Sequence, residues 1–174
     1  YWVETPVPQN WTIWCSVNNL YAASVCETDP EKLEFFTKEF VRLASRFTSL
    51  CFDDGYCPEG PSYYTKAGLM LFRMLDLLNK MVPGSMEKLY AEPKIRNIFE
   101  FVAKVRIGND QLISFADGSP LMLTNFSVLM PAAKAINSIP LLRFGAGKQS
   151  DLGATVNGDY LVSSLALLFD YPEQ

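Results

Sequence analysis

The stretch TDPEKLEFFTKEFVRLASRFTSL, residues 28–50, decides the fold class. Its opening, Thr28-Asp29-Pro30-Glu31, joins a Thr-x-x-Glu capping box to a proline in the first helical turn, where the missing N–H costs nothing. Behind it Leu33, Phe36, Phe40, Leu43, Phe47 and Leu50 recur three and four residues apart, the period of one helix face. The stretch therefore predicts a long amphipathic helix.

The same reading extends outward in both directions. Upstream, Tyr1 to Gln9 carries Pro6 and Pro8 and reads as an extended lead-in, with Asn10 capping a helix from Trp11 to about Cys26. Downstream, DDGYCPEGPS (53–62) is a loop punctuated by glycine and proline. Pro61 or Ser62 then opens a helix to about Val82, with a stripe of Tyr64, Gly68, Leu71, Leu75, Leu78 and Val82. Lys66, Arg73, Asp76 and Lys80 lie off that stripe, and Pro83-Gly84 ends it. A further helix is expected from Pro93 to Ile107, with Ile95, Ile98, Phe99, Val102 and Val105 inward. Gly108-Asn109-Asp110 reads as a turn, and Gln111 to Ala116 as a short strand closed by Asp117-Gly118. Phe126 to Ile136 and Leu161 to Phe169 read as apolar helices, the second capped by Asp159, with a loop from Phe144 to Gly158. The sum is an all-α chain of antiparallel helical hairpins in one domain spanning residues 1–174. Periodicity alone leaves bundle, solenoid and toroid open.

Composition narrows the function classes. The chain has 174 residues, 49% hydrophobic and 20% charged, a globular balance with enough length for one sizeable core. A net charge of −4 speaks against a nucleic-acid partner, and no basic amphipathic stretch or long apolar run points to a membrane. There is no histidine, which removes His-based general bases, catalytic triads and His-ligated metals. The expectation is no metal and no cofactor. Cys15, Cys26, Cys51 and Cys57 lack C-x-x-C spacing; Cys15 and Cys26 read as buried helical thiols, and a Cys51–Cys57 disulfide is the weaker alternative for the loop. The start at Tyr1, without a signal core, reads as a cut into an ongoing sequence.

Some residues carry two readings. Trp11, Trp14, Asn18 and Tyr21 follow a three-four-three spacing and share one face. They form either a core stripe with one paired amide or the wall of a sugar cleft, and the amide favours the cleft because burying it unpaired is costly. Asp53, Asp54 and Glu59 read either as a glycosidase carboxylate pair or as turn chemistry at Asp54-Gly55, with Glu59 the better functional candidate. Tyr64 heads its apolar stripe and reads plainly as a half-buried tyrosine. Lys66 and Arg73 either raise the positive potential near that tyrosine or belong to a solvated face.

Three segments carry a family resemblance: NWTIWCSVNNL (10–20), DGYCPEGPSYY (54–64) and ISFADGSP (113–120). In order and spacing they resemble the heparinase II/III-like and alginate lyase family of polysaccharide lyases. The resemblance implies part of an incomplete (α/α) toroid, with the family's C-terminal β-sandwich absent from this chain. It implies β-elimination on an acidic, uronate-containing polysaccharide. Asn18 then matches the amide that neutralises the uronate carboxylate, with Asn19 one step away as the alternative. Tyr64 matches the acid/base tyrosine, with Tyr63 as runner-up, provided a pKa normally about 10 is lowered by nearby positive charge. Glu59 matches the loop acid that orients the tyrosine or binds a sugar hydroxyl, and Trp11, Trp14, Asn19, Tyr21, Tyr63 and Lys66 fall to substrate binding. The chain departs from the pattern where several branches carry histidine: Asn19 or Leu20 follows the amide, and Thr65 follows the tyrosine. The resemblance thus implies a fragment inactive alone, completed by the remainder of the same polypeptide and working in a secreted or periplasmic setting. The alternatives are a non-catalytic carbohydrate-binding helical module and an (α/α)-barrel glycoside hydrolase.

Overall fold

The helix expected behind residue 28 is α2, Pro30–Leu50. Asp29 rather than Thr28 caps it: its carboxylate accepts the N–H groups of Glu31 and Lys32 at 3.0 and 3.4 Å, and Pro30 occupies the first turn. A carboxylate at this position satisfies two orphan donors and also meets the positive end of the helix dipole. The computed structural model of the chain describes residues 3–108, 111–120 and 129–146. Around α2 it places α1 (Asn10–Cys26), a 3₁₀ turn (Pro61–Lys66), α3 (Gly68–Met81), α4 (Glu87–Ala91), α5 (Pro93–Lys104), α6 (Leu129–Ala135) and α7 (Ile139–Ala146). The fold is all-α, about 67% helical. Among the described residues the expected strand at Gln111 to Ala116 is a single antiparallel bridge between Arg106 and Leu112.

The chain forms two compact units, Tyr1–Met122 and Leu123–Gln174. In the first, α1 and α2 make a hairpin across the short Glu27-Thr28-Asp29 link; α1 also packs on α3, and α3 on α5. The core is built from Ile13, Val17 and Leu20 of α1, Leu43 of α2, Leu71 and Met74 of α3, and Ile98 and Phe99 of α5, all 3% exposed or less. Each such side chain contributes about 1.5–3 kcal/mol of burial. The stripe of α2 is buried only in its second half. Leu43 and Phe47 are inside, Phe36 and Phe40 are half-buried with rings stacked at 6.3 Å, and Leu50 is exposed. In the second unit, Leu129, Ala132, Ile136 and Leu141 are buried, and Ser138 Oγ accepts the Leu141 N–H at 3.2 Å at the start of α7.

Several boundaries differ from the sequence expectation, each for a physical reason. The N-cap of α1 is Gln9, whose backbone N–H donates to Thr12 Oγ1 at 3.2 Å; Asn10 is drawn inside the first turn instead. The single helix expected from Pro61 to Val82 is broken at Ala67 (φ −121°, ψ −90°), next to Gly68, where a Cβ would run into the Tyr64 ring and the Ile98 carbonyl. The five-residue α4 carries too little period to announce itself. The expected start of a helix at Phe126 lies outside the described residues, as do the Leu161 to Phe169 helix and most of the Phe144 to Gly158 loop, while Phe144 itself sits in α7. No described helix is long and apolar enough to cross a membrane.

Candidate functional site

α1 is apolar on two faces. Ile13, Val17 and Leu20 enter the core together with Thr12 and Ser16, whose hydroxyl donates to Thr12 O at 2.6 Å. The aromatic stripe is the other face: Trp11 is 53% exposed, Asn18 is exposed, and Trp14 and Tyr21 are half-buried. The Trp11 and Trp14 rings lie 5.0 Å apart, tilted by 41°. Lys66 reaches across from the 3₁₀ turn and sets its ammonium 4.7 Å from the centre of the Trp14 ring. That cation–π contact stabilises the arrangement by about 0.5–1 kcal/mol at a surface and holds a positive charge over a half-buried indole. Asn19, next to Asn18, donates its amide to Cys15 O at 2.8 Å.

The 53–64 loop is fastened on three sides. Asn97 Nδ2 donates to Asp53 O at 2.7 Å, and Lys94 pairs with the Asp53 carboxylate at 3.5 Å. Asp54 Oδ1 accepts the Tyr56 N–H at 2.9 Å, so Asp54 does turn chemistry. Glu59 accepts the backbone N–H of Asn10; burial raises its pKa, the Asn10 contact restrains that rise, and Asp117 adds to it. Gly60 has φ +95°, and a Cβ there would lie 2.6 Å from Phe115 O and 2.8 Å from Gly118 N, so only glycine fits. Ser119 N–H donates to Ser62 Oγ at 2.6 Å, and Tyr56 stacks on Phe115 at 5.3 Å. The segments 10–20, 54–64 and 113–120 thus meet in one place.

Tyr64 is 1% exposed, and its hydroxyl donates to Phe99 O at 2.6 Å. Burial pushes its pKa above the ordinary tyrosine value, the opposite of what an acid/base tyrosine needs. In this arrangement Tyr64 braces the 3₁₀ turn against α5, while Tyr63 beside it is half-buried. Lys66 is exposed, as a solvated face requires, and its ammonium lies over the Trp14 ring.

Between the lead-in, the end of α2, the loop and the start of α3 lies a cavity of about 210 Å³. Tyr64 and Glu59 both line it, as do Cys51 and Cys57, which are free thiols pushed up to about 11 by burial. Cys15 and Cys26 are not the buried pair expected of them: Cys15 is half-buried and Cys26, at the end of α1, is exposed. Asn10 also lines the cavity; it is 3% exposed, and its Oδ1 has no hydrogen-bond partner among the described residues. Sequence reasoning missed this group because an asparagine before a helix reads as a cap. The chain matches none of the protein-family models and none of the curated proteins compared with it.

Proposed function

We propose that this chain is a helical module that binds acidic, uronate-bearing polysaccharide, related by descent to the heparinase II/III-like lyases, with the outer face of α1 as its sugar platform. One observation carries this reading: the aromatic stripe of α1 lies outside the core, with a lysine ammonium held over Trp14. Tilted indoles offer apolar faces to the C–H faces of pyranose rings. Lys66 supplies the counter-charge for a uronate carboxylate, and exposed Asn18 supplies an amide beside it. The family's remaining hairpins and β-sandwich would complete the polypeptide outside the cytoplasm.

Fluorescence titration of the three tryptophans with uronate oligosaccharides tests this reading. Trp11→Ala and Lys66→Gln are each expected to weaken binding about tenfold, the worth of one stacking or charge contact of roughly 1.4 kcal/mol. Binding unchanged by both substitutions, or equal binding of a neutral glucan, would sink the reading.

A second reading, β-elimination by a longer polypeptide, has its own support. Glu59 and Tyr64 line one cavity with Asn10, and the third segment that carries the resemblance packs on the same loop through Ser119 and Phe115. It requires the 3₁₀ turn to move so that Tyr64 or Tyr63 meets the sugar. It predicts ultraviolet absorbance from unsaturated uronate products, lost in Tyr64→Phe or Tyr63→Phe. The glycoside hydrolase reading is the weakest, since Asp54 and Glu59 are each engaged by a backbone N–H.

A further inference from the structure

The first half of α2 carries apolar surface that the core does not cover. Phe35 is 65% exposed, its ring meets Phe36 at 5.9 Å, and Phe36 stacks on Phe40. With Ala22, Ala23 and Cys26 of α1, Phe36 and Phe40 line a groove of about 290 Å³. One exposed ring is ordinary on a protein surface, but a train of rings running into a groove marks a contact face.

The charges around Phe35 say what covers it. Glu31, Phe35, Glu39 and Arg42 follow one another four, four and three residues apart, and Lys32 stands three residues before Phe35, so all five share one face. Glu31, Lys32 and Arg42 are exposed and Glu39 is half-buried. Along the helix this face reads acid, base, ring, acid, base. Two copies of α2 laid antiparallel bring Glu31 to Arg42 and Lys32 to Glu39, each contact made twice, with the Phe35 rings close to the centre. Laid parallel, every charge meets its like. Glu34 and Lys38 pair with each other on the other flank and take no part.

We propose that this face of α2 is an interface between two copies of the chain, packed antiparallel about a two-fold axis. An isologous dimer needs a patch complementary to itself, and the order of charges around Phe35 supplies one. Arg42 is already held by Glu39, to which its Nε donates at 2.9 Å, so Glu31 of the second copy meets an ordered guanidinium. A single helix pair falls below the standard interface size, so the dimer is weak, with a dissociation constant of about 10⁻⁵–10⁻⁴ M. The proposal uses no residue of the sugar platform and stands without it.

Sedimentation velocity of the whole chain, from about 1 to about 500 µM so as to bracket that constant, tests the proposal. The mean mass is expected to rise from monomer towards dimer across the range. Phe35→Ser, at an exposed position, is expected to keep the helical circular dichroism and weaken association at least about tenfold. Glu31→Lys sets a like charge against Arg42 twice across the axis and is expected to weaken it about tenfold. Adding Arg42→Glu to Glu31→Lys restores opposite charges and is expected to recover most of that loss, while Lys38→Glu on the other flank leaves association unchanged. A monomer at every concentration overturns the proposal. So does association that survives Phe35→Ser, which would place the contact elsewhere, or a double reversal no better than Glu31→Lys alone, which would mean that the charges do not pair in this order.

Discussion

A tyrosine hydroxyl that donates to a main-chain carbonyl at 2.6 Å, inside a core, is fully committed. Tyr64 links the 3₁₀ turn to α5 over 35 residues of sequence, and its ring also forms the floor against which Gly68 packs. Removing the hydroxyl leaves Phe99 O without that donor, and the expected loss in Tyr64→Phe is about 1–2 kcal/mol, read as a lower urea midpoint at unchanged slope. Tyr63→Phe, on the half-buried neighbour, is expected to fall within about 0.5 kcal/mol of the parent. If Tyr64→Phe keeps its stability and yet abolishes unsaturated product in the longer polypeptide, the bracing role is wrong and the acid/base role stands. The sequence pattern could not separate these roles, since both put a tyrosine at the head of an apolar stripe. The hydrogen bond that separates them comes from a partner far along the chain.

At the scale of elements, the break between the 3₁₀ turn and α3 sets two effects of opposite sign against each other. Helix propensity alone says that Gly68→Ala should gain about 1 kcal/mol. Packing says otherwise: a Cβ at position 68 would lie 2.7 Å from Tyr64 Cε2 and 3.1 Å from Ile98 O, one a buried ring and the other main chain. Neither neighbour yields easily, and overpacking of this kind costs about 1–3 kcal/mol. The net expectation is a destabilised Gly68→Ala, measured as a lower thermal midpoint; a raised midpoint would mean that the turn relaxes freely. The same contrast explains which elements were legible. α1, α2 and α5 combine a sustained three-four period with clear punctuation, and they lie within three residues of where the sequence puts them. Ala67 breaks the helix although the apolar period runs through it unbroken, and α4 is too short to have a period at all. The shift of the α1 cap from Asn10 to Gln9 rests on a local reciprocal pair, Gln9 with Thr12 three residues on, which an asparagine standing before the helix masks in the sequence.

For the whole molecule, the outer face of α1 was legible as an aromatic stripe but not as a surface, because Ile13, Val17 and Leu20 obey the helical period equally well. Only the packing of α2 and α3 decides which of the two faces is left for a ligand. That outcome has an electrostatic consequence. The chain carries a net charge of −4, so its long-range field opposes a polyanion, and the attraction must be local, from Lys66 over Trp14 and from stacking. Salt screens the repulsion over a Debye length of about 8 Å at physiological ionic strength, and it weakens a single exposed ion contact by a comparable amount. Stacking on Trp11 and Trp14 is indifferent to salt. Affinity for a uronate polysaccharide is therefore expected to change by less than about threefold between roughly 0.05 and 0.3 M sodium chloride, the opposing terms nearly cancelling. A basic groove that gathers several charges behaves differently: each additional ion contact adds to the salt dependence. Isothermal titration across that range decides the matter. A loss of more than about tenfold would mean that several cations act together on the sugar, and the platform of two indoles and one lysine would have to be abandoned.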